Sequence, residues 1–138
     1  MSTREAQNKA IVRRFFEGDH AAEVLAPDLK VHMPGAPAPL TREAFLQEMG
    51  MMYSAFSDAH TVIEDQIAEG DKVVTRLTWH ATHSGNFQGL PPTGKQIAMA
   101  GTVVQRIQDG KIVEHWPVFD QMGMMQQLGL VPLPQPAR

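Results

Sequence analysis

"KVVTRLTWHATHSGNFQGLPPTGKQIAMAGTVVQRIQDGKIVEHWPVFD", residues 72–120, is where the chain changes its period. Upstream, apolar residues recur at helical spacing; here they alternate. Successive side chains of an extended chain point to opposite faces. Val73, Thr75, Leu77, Trp79, Ala81 and His83 therefore share one face, and Val74, Arg76, Thr78, His80 and Thr82 the other. The first set is the more apolar and is expected to face inward. The turn Pro91-Pro92-Thr93-Gly94 and the dipeptide Asp109-Gly110 divide the run into three strands, and Asp-Gly is favoured in tight hairpins. With "HTVIEDQIAE" (60–69) joined upstream through Gly70-Asp71, four strands linked by turns predict an antiparallel meander.

Outward from that sheet the helices come first. Thr41 opens one on which Phe45, Met49, Met52 and Phe56 lie along a single face. Thr3 to Gly18 reads as another, with Ala6, Ala10, Ile11 and Phe15 at helical spacing. Asp19 is expected to cap a short helix, "HAAEVLA" (20–26), halted by Pro27. "LKVHMP" (29–34) is a short extended piece and "GAPAPL" (35–40) is irregular. Beyond the sheet, "QMGMMQQLG" (121–129) predicts one or two helical turns ending at Gly129, and residues 131–138 a loose proline-rich tail. Helices followed by a meander predict an α+β fold: a conical arrangement of N-terminal helices packed on a curved antiparallel sheet, enclosing a pocket.

Composition narrows the function. A chain of 138 residues, 43% hydrophobic and 20% charged, fits one compact domain, residues 1–138, with a sizeable core. There is no long apolar run to span a membrane and no basic-then-apolar leader. Without cysteine there are no disulfides or thiolate metal sites, which fits the cytoplasm. A net charge of −3 with scattered basic residues offers no footprint for nucleic acid. The pocket expected of this architecture, rather than composition, makes a hydrophobic small molecule the expected partner.

Two long motifs, "THSGNFQGLPPTGKQI" and "RIQDGKIVEHWPVFDQMGMMQQLG", resemble the SnoaL-like polyketide cyclase family, within the nuclear-transport-factor-2-like superfamily. "RRFFEGD", "VLAPDLKVHMPG" and "FSDAHTVIEDQIAEGDKVVTRLTW" extend the resemblance to about residues 8–130, with "GAPAPLTREAF" the least similar part. The resemblance implies a cone with a deep pocket, a homodimer, and closure of a polyketide ring by intramolecular aldol condensation. It implies no metal or organic cofactor, and an aspartate acid/base that matches Asp120. The superfamily also holds ketosteroid isomerases and epoxide hydrolases, and fold alone does not choose between them.

The residues themselves give paired readings. Asp120 ends a strand in which Ile112, Glu114, Trp116 and Val118 share its face, with parity near Pro117 uncertain because proline favours an edge or a bulge. It is either a desolvated base taking a proton α to a carbonyl or the N-cap of the last helix. His83, on the face with Trp79, is either a neutral imidazole polarising a substrate carbonyl or a histidine satisfied by backbone at the strand end. His80 is expected outward. His32 lines the pocket mouth or pins its strand, and His115 has the opposite parity from Asp120. No histidine pair has zinc-motif spacing, so no metal is expected. Met99 and most other methionines are expected to be core packing, and those that line a cavity make it adaptable.

The expected pocket set is thus His32, Phe45, Met49, Met52, Trp79, Met99, Trp116 and Val118 beside the catalytic candidates Asp120 and His83. "LPPTGK" (90–95) is a hairpin tip rather than a phosphate loop. A cyclase or isomerase acting on a carbonyl compound, a non-catalytic binding domain and an epoxide hydrolase all fit this pattern. The last needs an arginine bridging two carboxylates in the cavity, and both Arg76 and Arg106 have outward parity.

Overall fold

A computed structural model describes residues 3–18 and 21–132. The order is helix α1 (Thr3–Glu17), a single 3-10 turn (Ala21–Val24), strand β1 (Leu25–Val31), helix α2 (Arg42–Ala55), strands β2 (His60–Glu69), β3 (Lys72–Thr82), β4 (Gln96–Gln108) and β5 (Lys111–Phe119), and helix α3 (Gln121–Leu128). The sheet runs β1-β5-β4-β3-β2. Strands β2 to β5 pair antiparallel in sequence order, and β1 adds in parallel beside β5. The expected meander is therefore present, extended by one strand, and the architecture is α+β. No helix among the described residues is long and apolar enough to cross a membrane.

Local chemistry explains most boundaries. The Thr41 hydroxyl accepts from the Ala44 amide (3.2 Å) and opens α2. Asp109 and Gly110 both have positive φ (53° and 75°), as a primed two-residue hairpin turn requires. Gly129 closes α3 in the left-handed conformation, with its amide bonded to Gln126 O.

One helix was expected where a strand stands. "HAAEVLA" gives only the turn Ala21–Val24, and the chain is extended from Leu25 through Pro27. Proline is tolerated because β1 is an edge, paired on one side only, and its register with β5 is irregular between Leu25 and Lys30. The expected cap Asp19 and the tail beyond residue 132 lie outside the described residues.

A β-bulge in β5 decides what the cavity contains. Ile107 pairs with Ile112, but Arg106 pairs with Glu114, so Val113 is an extra residue. Such an insertion inverts the parity of everything beyond it. Ile112 faces in, and then so do His115, Pro117 and Phe119, while Glu114, Trp116 and Val118 turn out.

The interior holds two apolar clusters. One joins Val12, Phe15, Leu25, Val31, Phe45 and Ile112. The other joins Phe56, Ala81, Phe87, Ile97, Met124 and Leu128 beneath α3 and the β3–β4 hairpin.

Candidate active site

A cavity of about 310 Å³ is lined by members of both clusters, including Phe15, Phe45, Phe87 and Met124. Among the described residues six methionines line it: Met33, Met49, Met52, Met99, Met124 and Met125. Unbranched thioethers make the wall deformable, and the walls are apolar enough to strengthen any hydrogen bond made inside. The polar groups reaching the cavity are Glu48 and Tyr53 from α2, Thr61 from β2, Gln88 from the hairpin, Gln121 from α3, and His115 from β5.

His115 is the buried one, 3% exposed. Its ring lies 5.5 Å from Phe15 and 4.9 Å from Phe45, centroid to centroid. Burial lowers its pKa from 6.5 to about 3, so at neutral pH it is an uncharged imidazole. The side-chain amide of Gln105, fully buried on β4, donates to Nδ1 (2.9 Å). That places the ring proton on Nε2. A neutral imidazole with a free N–H in an apolar cavity is a donor for a carbonyl or enolate oxygen.

The residues chosen from sequence are distributed as follows. Phe45, Met49, Met52, Trp79 and Met99 line the cavity. Trp116 and Val118 do not, because the bulge turns them to the outer face; Val118 is 61% exposed. His32 is also on that side, stacked on Trp116 at 5.1 Å and donating from Nε2 to Glu114 Oε2 (2.8 Å). Arg106 reaches Glu114 (2.8 Å) and Asp71 (3.9 Å) there too. An arginine therefore does bridge two carboxylates, but on the outer face and away from the cavity, against the epoxide-hydrolase arrangement. His80 stacks on His60 across β2 and β3 (5.3 Å).

His83 is fully buried but does not line the cavity. Its backbone closes the hairpin, from its amide to Lys95 O (2.9 Å) and from the Gly94 amide to its carbonyl (3.0 Å). Nδ1 accepts from the Thr93 amide (3.2 Å), and the ring packs on Phe56. It pins the loop that delivers Phe87 and Gln88 to the cavity wall. Asp120 is exposed and accepts from the Gly123 amide (2.9 Å), which makes it the N-cap of α3. It stands between Phe119 and Gln121, both of which line the cavity.

Sequence reasoning missed His115, Gln105 and Phe119. Strict alternation assigns His115 to the outer face, and nothing in "KIVEHWPVF" marks Val113 as the inserted residue. A histidine flanked by glutamate and tryptophan was visible, but its face was not. Gly101 was a readable signal left unread: opposite Phe119, a Cβ there would lie 2.4 Å from the Phe119 ring, so the ring covers the glycine on the inner face.

Comparison with known proteins agrees with this geometry. The family model described as SnoaL-like polyketide cyclase matches residues 7–128. Aklanonic acid methyl ester cyclase of Streptomyces peucetius is 35% identical over 117 residues, covering 83% of this chain and 77% of that protein. Nogalonic acid methyl ester cyclase of Streptomyces nogalater is 36% identical over 90 residues, covering 63% of this chain and 66% of that one, about two thirds of its length. The crystal structure of AclR of Streptomyces galilaeus, a candidate hydroxylase, superposes with a TM-score of 0.83 at 26% identity, covering 93% of this chain and 99% of that one.

Proposed function

We propose that this chain, which belongs to the SnoaL-like polyketide cyclase family, closes a ring in a hydrophobic polyketide ester by intramolecular aldol condensation. The observation that carries this reading is a buried, neutral imidazole offered to an apolar cavity of about 310 Å³. The two Streptomyces relatives are cyclases of aklanonic and nogalonic acid methyl esters, and a polycyclic carbonyl compound of that kind suits these walls.

In the reaction a base removes a proton from the carbon α to one carbonyl. The resulting enolate carbon bonds to a second carbonyl carbon of the same molecule, whose π pair moves to oxygen. The proton returns to that oxygen and leaves a β-hydroxy ketone. His115 donates from Nε2 to the enolate oxygen, where charge develops. Asp120 is the base in this reading; it does not itself line the cavity, and what supports the role is its position in the chain between Phe119 and Gln121, which both do. No organic cofactor or metal enters the steps. The reading extends to a homodimer in the cytoplasm, formed through the outer sheet face where Val62 and Val118 stand exposed. Sedimentation at the monomer mass of 15.3 kDa across micromolar concentrations would remove the dimer.

The test is binding and turnover of a panel of polycyclic aromatic β-keto esters by wild type, Asp120→Asn and Glu48→Gln. Asp120→Asn should bind normally and lose about 100-fold or more in kcat, while Glu48→Gln stays within about threefold of wild type. The reverse pattern moves the base to Glu48. Binding without turnover in all three, wild type included, overturns the cyclase in favour of a binding domain.

A further inference from the structure

Gln105 is fully buried on the inward face of β4 between Val103 and Ile107, two apolar residues that are equally covered. A side-chain amide in such a place is costly unless it is hydrogen-bonded. Its nitrogen bonds to His115 Nδ1, and its oxygen has no partner among the described residues. As placed, one N–H bonds to Nδ1 while the second N–H and the oxygen go unmatched; turned over, the oxygen would bond and both N–H groups would go unmatched. The two placements differ by an unmatched carbonyl against an unmatched N–H, and the carbonyl is the lesser penalty.

We propose that Gln105 is a positioning residue for catalysis: it locks His115 as the Nε2–H tautomer and turns that one free donor toward the substrate carbonyl. The inference rests on the cyclase reading of the same cavity. Among the described residues the imidazole has no other hydrogen-bond anchor. Phe15 of α1 and Phe45 of α2 flank the ring, and on β1 Val31 is the residue paired with His115. Glu48 on α2 is the charged residue lining the same cavity; His32 and Glu114 lie across the sheet on its outer face.

An amide suits this task because it does not titrate. It holds the same tautomer at every pH at which the protein is folded, whereas a carboxylate at this position would accept from Nδ1–H instead. The imidazole would then present a bare nitrogen to the cavity, an acceptor where the enolate oxygen needs a donor. Gln105→Glu therefore inverts the proposed device with little change of volume.

The experiment is two-bond proton–nitrogen correlation of ¹⁵N-histidine-labelled wild type, Gln105→Glu and Gln105→Met, with kinetics on the same samples. In wild type, His115 should show a bare Nδ1 and a protonated Nε2, unchanged from about pH 8 to about pH 5. Gln105→Glu should exchange the two shifts, titrate within that range, and lose about 100-fold in kcat with KM within about threefold. Gln105→Met, which keeps the volume and cannot form the bond, should average the tautomers and lose about tenfold in kcat; it decides the question if the glutamate variant does not fold. A wild-type Nδ1–H tautomer, or unchanged kcat in the folded variants, overturns the proposal and leaves the cyclase reading intact. The stated tautomer with no turnover in wild type overturns the cyclase reading and leaves the positioning of His115 standing.

Discussion

His115 and His32 sit on opposite faces of one sheet and make hydrogen bonds of nearly equal length, 2.9 Å to Gln105 and 2.8 Å to Glu114. Their chemistry differs because their surroundings do. His32 is partly exposed, stacks on Trp116, and shares Glu114 with Arg106. Glu114 loses some solvation there, but its bonds to His32 and Arg106 outweigh that and hold its carboxyl below the usual range. His115 lies between two phenylalanines with an uncharged partner, and burial alone holds its pKa down. A carboxylate in partial contact with water makes a structural clasp. An amide in an apolar wall makes a neutral donor.

The largest effect should come from the inner histidine. His115→Phe fits between Phe15 and Phe45 but leaves the buried Gln105 amide without its partner, so the fold should survive with about 1–3 kcal/mol lost and kcat down about 100-fold or more. If thermal unfolding drops as far as activity does, the imidazole is structural, and the contrast with His32 fails.

Next comes the hairpin that walls the cavity. A Cβ on Gly85 would lie 2.1 Å from the Ser54 carbonyl oxygen, a backbone atom that cannot swing aside. Gly85→Ala should cost about 2–3 kcal/mol in denaturant unfolding and raise KM as Phe87 and Gln88 shift. Gly101→Ala should cost less, because the Phe119 ring can turn away into the cavity, and it should raise KM more than it changes stability.

His115 also has a signature in pH. His115 has a folded pKa depressed below the unfolded value, so its contribution is complete above about pH 6.5 and is lost as pH falls toward 3. The unfolded chain binds the extra proton in that window, and stability should fall by up to about 1.4 kcal/mol per pH unit. His115→Phe should flatten that slope between pH 6.5 and 5; an unchanged slope would place its source elsewhere. The smallest effect belongs to the outer clasp. Glu114→Gln should cost about 0.5–1 kcal/mol and leave kcat unaltered.

This contrast also marks what the sequence disclosed. Alternation, Asp109-Gly110 and the Thr41 cap made the meander and α2 legible, because each is a local rule. The 3-10 turn and the early start of β1 were not, since Pro27 halts a helix by itself but is harmless on an edge strand. The site was half legible. Phe45, Met49 and Met52 follow from helix period and Trp79 from strand parity, whereas Trp116 and Val118 were assigned to the wrong face. One inserted residue, Val113, exchanged them for His115, Pro117 and Phe119. Bulges answer to register between strands, which local patterning does not encode. Asp120 was read both as cap and as base; its bond to Gly123 is the capping geometry.

The central claim is that the Nε2–H of a neutral His115 meets the oxygen on which charge develops. The most direct measurement is the resonance of that proton during titration with a planar, enolised β-diketone that mimics the enolate. A marked downfield shift at saturation, with binding weakened about tenfold or more in His115→Phe, is the predicted result. A ligand that saturates the cavity while the Nε2 proton stays where it was would contradict the account.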